Sequence, residues 1–253
     1  MLSKNKIKYI HSLELKKNRQ AANVFVAEGP KVVGDLMALT APRLLFATAE
    51  WLAVHGARLR PADTEIAEVT EDELRKISFL QHPQKVLAVF EQQQTTVDAF
   101  RKDELTICLD GVQDPGNLGT IIRIADWFGI RTIICSQDTA DVYNPKVVQA
   151  TMGSIARVRV AYTDLDAFLG SMPDEMPIYG TLLDGKNIYG QQLTSHGILV
   201  MGNEGKGISP SVRRHLNRSL FIPNFSANSE TAESLNVAVA TAIVCSEFRR
   251  SAI

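Results

Sequence analysis

From residue 105 onward the chain alternates strand-like and helix-like segments without interruption, and this pattern limits the fold more than any other feature. LTICLDGV is followed by a helical stretch at 118–128, RTIICS by PKVVQATMGS, RVRVAY by DLDAFLGSM. After these come PIYGTLLDG, GILVMG, SPSVRRHLN, SLFIPN and a last helix from about Glu233. Apolar strands separated by helices predict a parallel sheet covered on both faces. In such sheets, ligands bind beyond the carboxyl ends of the strands, so the loops after the strands are where chemistry is expected. The final helix, ESLNVAVATAIVCSEFRR, is apolar around most of its circumference and so needs burial on two sides, one against its own sheet and the other available to a partner subunit. That predicts a homodimer.

The alternation accounts for only part of 253 residues. Residues 20–91 read as a smaller α/β domain, with strands at NVFVAEG, RLLFA, Ile66–Val69 and KVLAVFE, a helix opened by Pro30, and a Thr70/Glu73 capping box ahead of EDELRKIS. The polar stretch QQQTTVDAFRKDE reads as a linker. The predicted division is therefore a small α/β domain over 1–91, a linker over 92–104 and a larger domain over 105–253. Basic and acidic residues nearly cancel, 27 against 28, so any nucleic acid must be met by local patches. The most basic block is residues 1–31, with seven Lys and Arg against Glu14 and Glu28. It reads as a solvated helix face or as a phosphate-contacting arm, with Lys16, Lys17, Arg19 and Lys31 as candidate RNA contacts. Cys108, Cys135 and Cys245 sit in apolar runs with neither zinc nor disulfide spacing, which predicts reduced, buried thiols, no metal and a cytoplasmic chain. No stretch approaches the length of a membrane span.

Three loops stand out. In DGVQDPGNLGTIIRIADWFGI, DPGN supplies a turn and Asn117 reads as a helix cap. At 100° per residue Arg123 shares a face with Gly119, Thr120, Asp126 and Trp127. Its alternatives are a surface pair with Asp126 and an anion site near the helix N-terminus. ILVMGNEGKGISP crowds glycines at a strand end, with Glu204 among them. It is not a Walker loop, because Val200 stands six residues before Lys206 where that motif needs glycine. Arg213, Arg214 and Arg218 follow as a second basic patch or a solvated face. In LFIPNFSANSETAESLNVAVA, Ser234 reads as the cap of the last helix, and Asn236 lacks an obvious local role.

Taken together and in this order, the three loops resemble the signature motifs of the SpoU (TrmH-like) family of SPOUT-class RNA ribose 2′-O-methyltransferases. Asn117–Leu118–Gly119 with Arg123 resembles the first motif and Met201–Gly202–Asn203–Glu204–Gly205 with Gly207 the second. Ile222–Pro223 with Ser234–Leu235–Asn236–Val237 resembles the third. Residues 1–91 resemble the substrate-binding domain many members carry in front. The resemblance implies a deep trefoil knot, S-adenosylmethionine as methyl donor, a homodimer with the site at its interface, and RNA as substrate, ribosomal rather than transfer RNA. It further implies that Arg123 is catalytic with Asn117, Glu204, Ser234 and Asn236 around it, and that Thr181, Leu182, Gly202, Gly205, Ile222 and Leu235 hold the cofactor. One departure is the loop between Pro223 and Ser234, ten residues long where the family has about six, a lengthening that costs little closure entropy. Because a guanidinium stays charged, Arg123 suits binding phosphate and stabilising the developing alkoxide, with Glu204 as the alternative base. A catalytically silent RNA-binding protein is the rival reading; it would not bind S-adenosylmethionine.

Overall fold

A computed structural model of the chain describes residues 2–56, 64–226 and 233–250. The chain begins with α1 (Lys4–Ser12), α2 (Lys16–Ala22), β1 (Val24–Glu28), α3 (Pro30–Met37), β2 (Leu44–Ala47), α4 (Ala49–His55), β3 (Glu65–Glu68), α5 (Glu71–Arg75) and β4 (Val86–Glu91). It continues with β5 (Leu105–Asp110), α6 (Pro115–Trp127), β6 (Thr132–Cys135), α7 (Pro145–Ala150), β7 (Arg159–Tyr162), α8 (Leu165–Gly170), β8 (Ile178–Asn187), β9 (Gly197–Gly202), α9 (Pro210–Arg213), β10 (Arg218–Phe221) and α10 (Val237–Arg250). These elements form two compact units, Met1–Gln93 with Asp141–Ala156, and Gln94–Ala140 with Arg157–Ile253.

The first unit is built on a sheet of order β1-β4-β2-β3, antiparallel except for the β2–β3 pair. Strand alternation sends Val24 and Val26 to one face, where they join Ile10, Leu13, Leu74 and Ile77. Phe25 and Ala27 go to the other, with Val33, Leu36 and Trp51. Both faces are therefore covered. The predicted capping box is present, with the Thr70 hydroxyl accepting from the Glu73 amide and the Glu73 carboxylate accepting in return.

The units differ from the division read from the sequence in one segment. Residues 141–156, which follow β6, complete the core of the first unit, where Val148 and Ala156 are buried with Phe25. The Tyr143 ring lies 4.7 Å from that of Phe25, and its hydroxyl donates to the Gln93 carbonyl at 2.8 Å. Burial pushes the Tyr143 phenol up to about 12. At the start of the segment Asp141 forms a 2.5 Å ion pair with Arg19, which also donates to the carbonyls of Leu13 and Glu14. The stretch read as a linker is also more ordered than its composition suggests. Val97–Ala99 forms a 3₁₀ turn, and Phe100 packs edge-on against Phe168 with centroids 5.5 Å apart.

The second unit carries a six-stranded sheet of order β10-β8-β9-β5-β6-β7, parallel at every pairing. The order places β5 and β9 side by side while the chain leaves β5 in the other direction, toward β6. Their adjacent carboxyl ends are thus a topological switch point, the place where open parallel sheets bind ligands. The three cysteines are free and buried, as expected, and burial pushes the Cys245 thiol up to about 12.

Candidate active site

The site assembles from the loop after β5, the loop after β9 and the turn that opens α10. In the first, Asp114 rather than Asn117 caps α6, accepting from the Asn117 amide at 2.7 Å. The reason is Pro115, which is pre-set for the first helical position and moves the cap one residue upstream of it. Asn117 consequently lies inside the first turn with its side chain released from capping. At α10 the correction runs the opposite way. The helix begins at Val237 rather than near Glu233, so Asn236 is its cap, accepting from the amides of Ala238 at 2.9 Å and Val239 at 3.3 Å. Ser234, expected to be the cap, is exposed and makes no hydrogen bond among the described residues. Residues 227–232 of the long preceding loop lie outside the described residues.

These two asparagines meet. The Asn236 amide nitrogen donates to Asn117 Oδ1 at 2.9 Å, and the Asn117 amide nitrogen donates to Glu204 Oε1 at 2.7 Å. One continuous hydrogen-bonded line therefore joins residues from all three loops. Glu204 is held by a tight loop in which the backbones of Asn203 and Gly207 pair with each other, Gly207 having φ of 68°. Gly202 has no room for a side chain, since a Cβ there would lie 2.3–2.6 Å from the backbone of Gly207 and Ile208. Its smallness is required by the loop's own closure.

Sequence reasoning missed the residue that fastens this loop. Asn203 accepts from the amides of Gly205 and Lys206 at 2.9 and 3.0 Å, and its own amide donates to the Gly111 carbonyl at 2.7 Å. An asparagine two residues ahead of a glycine is the available signal for such an Asx turn. Gly111 is anchored in turn by the Ser136 hydroxyl, and Asp110 accepts from the Ser209 amide at 2.6 Å.

Arg123 is exposed on α6 with no hydrogen bond or ion pair among the described residues. The surface partner considered for it is taken, since Asp126 pairs with Arg157 at 2.8 Å. Gly119, one turn before the arginine, is buried, and the exposed stripe runs Gly116, Thr120, Arg123, Trp127. Thr181 and Leu182 are half-buried where β8 leaves register with β10, and Thr181 donates to the Val200 carbonyl at 3.4 Å. Ile222 is half-buried, and Gly205 and Leu235 are exposed. The second basic patch is largely neutralised, Arg213 by Asp184 and Arg214 by Asp166, each at 2.5 Å. His215 and Arg214, in that order, hold the Asp166 carboxyl below the usual range.

In the first unit, Lys16 and Lys17 are exposed without ion pairs among the described residues, as are Lys4 and Lys8. Lys31 pairs with Asp35 at 2.8 Å. Arg19, expected among the RNA contacts, is 1% exposed and committed to Asp141, so its charge serves the core. No cluster of metal-ligating side chains and no helix long and apolar enough to cross a membrane occur among the described residues.

Comparison with known proteins agrees with this anatomy. The model of the SpoU rRNA methylase family matches residues 104–246, and that of the MRM3-like substrate binding domain matches 4–88. The chain is 32% identical over 250 residues to the 23S rRNA (guanosine(2553)-2′-O)-methyltransferase RlmP of Bacillus subtilis strain 168, covering 96% of each. Among solved structures it resembles a TrmH-family chain from Porphyromonas gingivalis, with TM-score 0.85, 42% identity and 99% of both chains covered. It also resembles an AdoMet-bound rRNA methyltransferase from Sinorhizobium meliloti, with TM-score 0.88, 31% identity and coverage of 100% and 97%.

Proposed function

Because the chain belongs to the SpoU rRNA methylase family, we propose that it transfers a methyl group from S-adenosylmethionine to a ribose 2′-hydroxyl of ribosomal RNA, rather than transfer RNA. The observation that carries this reading is the hydrogen-bonded line Asn236–Asn117–Glu204, which gathers the three family motifs at one end of the parallel sheet. The donor's sulfonium supplies an activated methyl group. Thr181, Leu182, Gly202, Gly205, Ile222 and Leu235 would hold it; apolar Leu182, Ile222 and Leu235 left partly open beside a glycine-lined strand end fit an adenosine. Arg123, free of any carboxylate, binds an RNA phosphate and stabilises the charge that develops on the 2′-oxygen. Ser234 faces the same reactants from the third loop.

The reading includes the family's deep trefoil knot, a small RNA-binding domain over 1–91 completed by residues 141–156, a catalytic domain formed by the rest of 105–253, and a cytoplasmic location beside the ribosomal substrate. Phosphate contact in the first domain falls to Lys16 and Lys17, with Lys4 and Lys8 as neighbours. It also includes a homodimer. The support is an apolar surface on packed α6 and α10, where Trp127 is 85% and Val239 51% exposed. The test is to map ribose methylation in total RNA from cells with and without the gene, then restore it with purified protein and S-adenosylmethionine. One ribosomal position should gain a methyl group. Failure to bind S-adenosylmethionine would favour the silent RNA-binding alternative, and a gain confined to transfer RNA would correct the substrate.

A further inference from the structure

We infer that Glu204 is the acceptor of the 2′-hydroxyl proton, and that Asn117 and Asn236 are positioning residues that keep its carboxylate aimed. The inference rests on the proposed methyl transfer and adds to it the destination of the proton.

The argument is one of polarity. Backbone amides only donate, so the amides of Ala238 and Val239 fix Asn236 Oδ1 as the acceptor at the start of α10. The Asn236 side-chain nitrogen must then point outward and donate, which it does, to Asn117 Oδ1. That settles the Asn117 amide in turn, leaving its nitrogen to donate to Glu204 Oε1. Every orientation in the line follows from the helix end, and the line terminates on the one group in it that can take a proton. Glu204 Oε2 makes no hydrogen bond among the described residues and is left for a reactant.

The carboxylates beside the first loop are occupied, and Glu233, on the third, is no part of the hydrogen-bonded line. Asp110 accepts from the Ser209 amide, Asp114 caps α6, and Asp138 accepts from the Ser136 hydroxyl. Arg123 and Lys206 are cations and have nothing with which to accept a proton. Glu204 is also held from below: Asn203 fixes the loop to Gly111, so the carboxylate can be removed without loosening its support. In the step itself the 2′-oxygen forms the bond to the methyl carbon and the methyl–sulfur bond breaks with its electron pair left on sulfur. The hydroxyl proton passes to Oε2. Sulfonium and carboxylate charges vanish together, and the carboxylic acid returns its proton to water.

The experiment uses the full-length protein with S-adenosylmethionine and ribosomal RNA lacking the modification. Glu204→Ala and Glu204→Gln should lower the single-turnover rate by about 10² or more, the ordinary contribution of a general base, with cofactor and RNA affinities unchanged. Added formate should raise the rate of Glu204→Ala and leave Glu204→Gln, whose side chain fills the space, unaffected. Independently of turnover, the side-chain amide proton signal of Asn117 should move upfield in Glu204→Gln, because its acceptor has lost a charge. Asn117→Ala and Asn236→Ala should reduce kcat more than they raise KM, with no response to formate. Wild-type rate in Glu204→Ala, loss of cofactor or RNA affinity in it, or a lost rate that formate fails to raise would each overturn the assignment. A wild-type protein that transfers no methyl group to any RNA overturns the proposed function itself, a distinct result.

Discussion

Arg123 sits six residues beyond Asn117 on α6, with its guanidinium unclaimed among the described residues and open to a phosphate from outside the chain. Arg123→Ala should lower the methyl-transfer rate by about 10²–10³, the cost of removing one donor to developing charge. Cofactor affinity measured by calorimetry should stay within error of wild type; a parallel loss would move Arg123 to the cofactor. Gly202 leads to a different expectation. Because a Cβ would run into the backbone of Gly207 and Ile208, Gly202→Ala should destabilise the second unit by about 1–3 kcal/mol in urea denaturation, an overpacking cost, and weaken cofactor binding by displacing the loop. Undiminished stability would mean that the loop relaxes freely. The gathering of Asn117, Glu204 and Asn236 was legible because motif chemistry is local and the three stand in recognisable spacings. Their partnerships were not, since which asparagine caps and which one bridges depends on where a helix begins, and Pro115 and Val237 shift that by a few residues.

Among the elements, strands and helices of the second unit followed the alternation of apolar and polar segments closely, because a sheet buried on both faces leaves little freedom in composition. The path of 141–156 did not, since an amphipathic segment carries no mark of which sheet it will cover. Single-residue charge patterns misled for a similar reason: Arg19 reads as part of a basic block, yet it folds inward to Asp141. At the end of β1 lies another inward charge, Glu28, buried while accepting from the Phe79 amide at 2.8 Å and from the Ser78 hydroxyl. Burial, outweighing those bonds, raises its carboxyl above the ordinary value of 4.5. The native state thus holds this proton more tightly than the unfolded chain does. Glu28's effect on stability is most favourable below the ordinary value and worsens as pH rises from there through the raised native value. Denaturant titrations across that window should show a fall in wild type that is reduced in Glu28→Gln. Identical slopes would assign the pH dependence elsewhere.

For the molecule as a whole, the surface on α6 and α10 makes a claim about assembly. Trp127→Glu should convert a dimer to a monomer in sedimentation, since one charge on a large exposed aromatic opposes apolar contact with a second copy. A dimer that survives it would place the interface elsewhere. The returning segment makes a claim about dissection. A fragment of residues 1–93 lacks Val148, Ala156 and the Asp141 partner of buried Arg19, and should be unfolded or aggregation-prone. Joining residues 141–156 to its end through a flexible linker should restore a cooperative transition; a stable bare fragment would show the segment to be dispensable. The same segment imposes an order of events on synthesis. As the chain leaves the ribosome, the first unit emerges nearly whole by residue 93 but waits for residue 156 before its core can close. At about 5–20 residues per second that delay lasts several seconds, long enough for nascent-chain chaperones to meet the open face around Phe25. Birth of the amino-terminal unit is thereby tied to that of β5, α6 and β6, and the two halves come into being together.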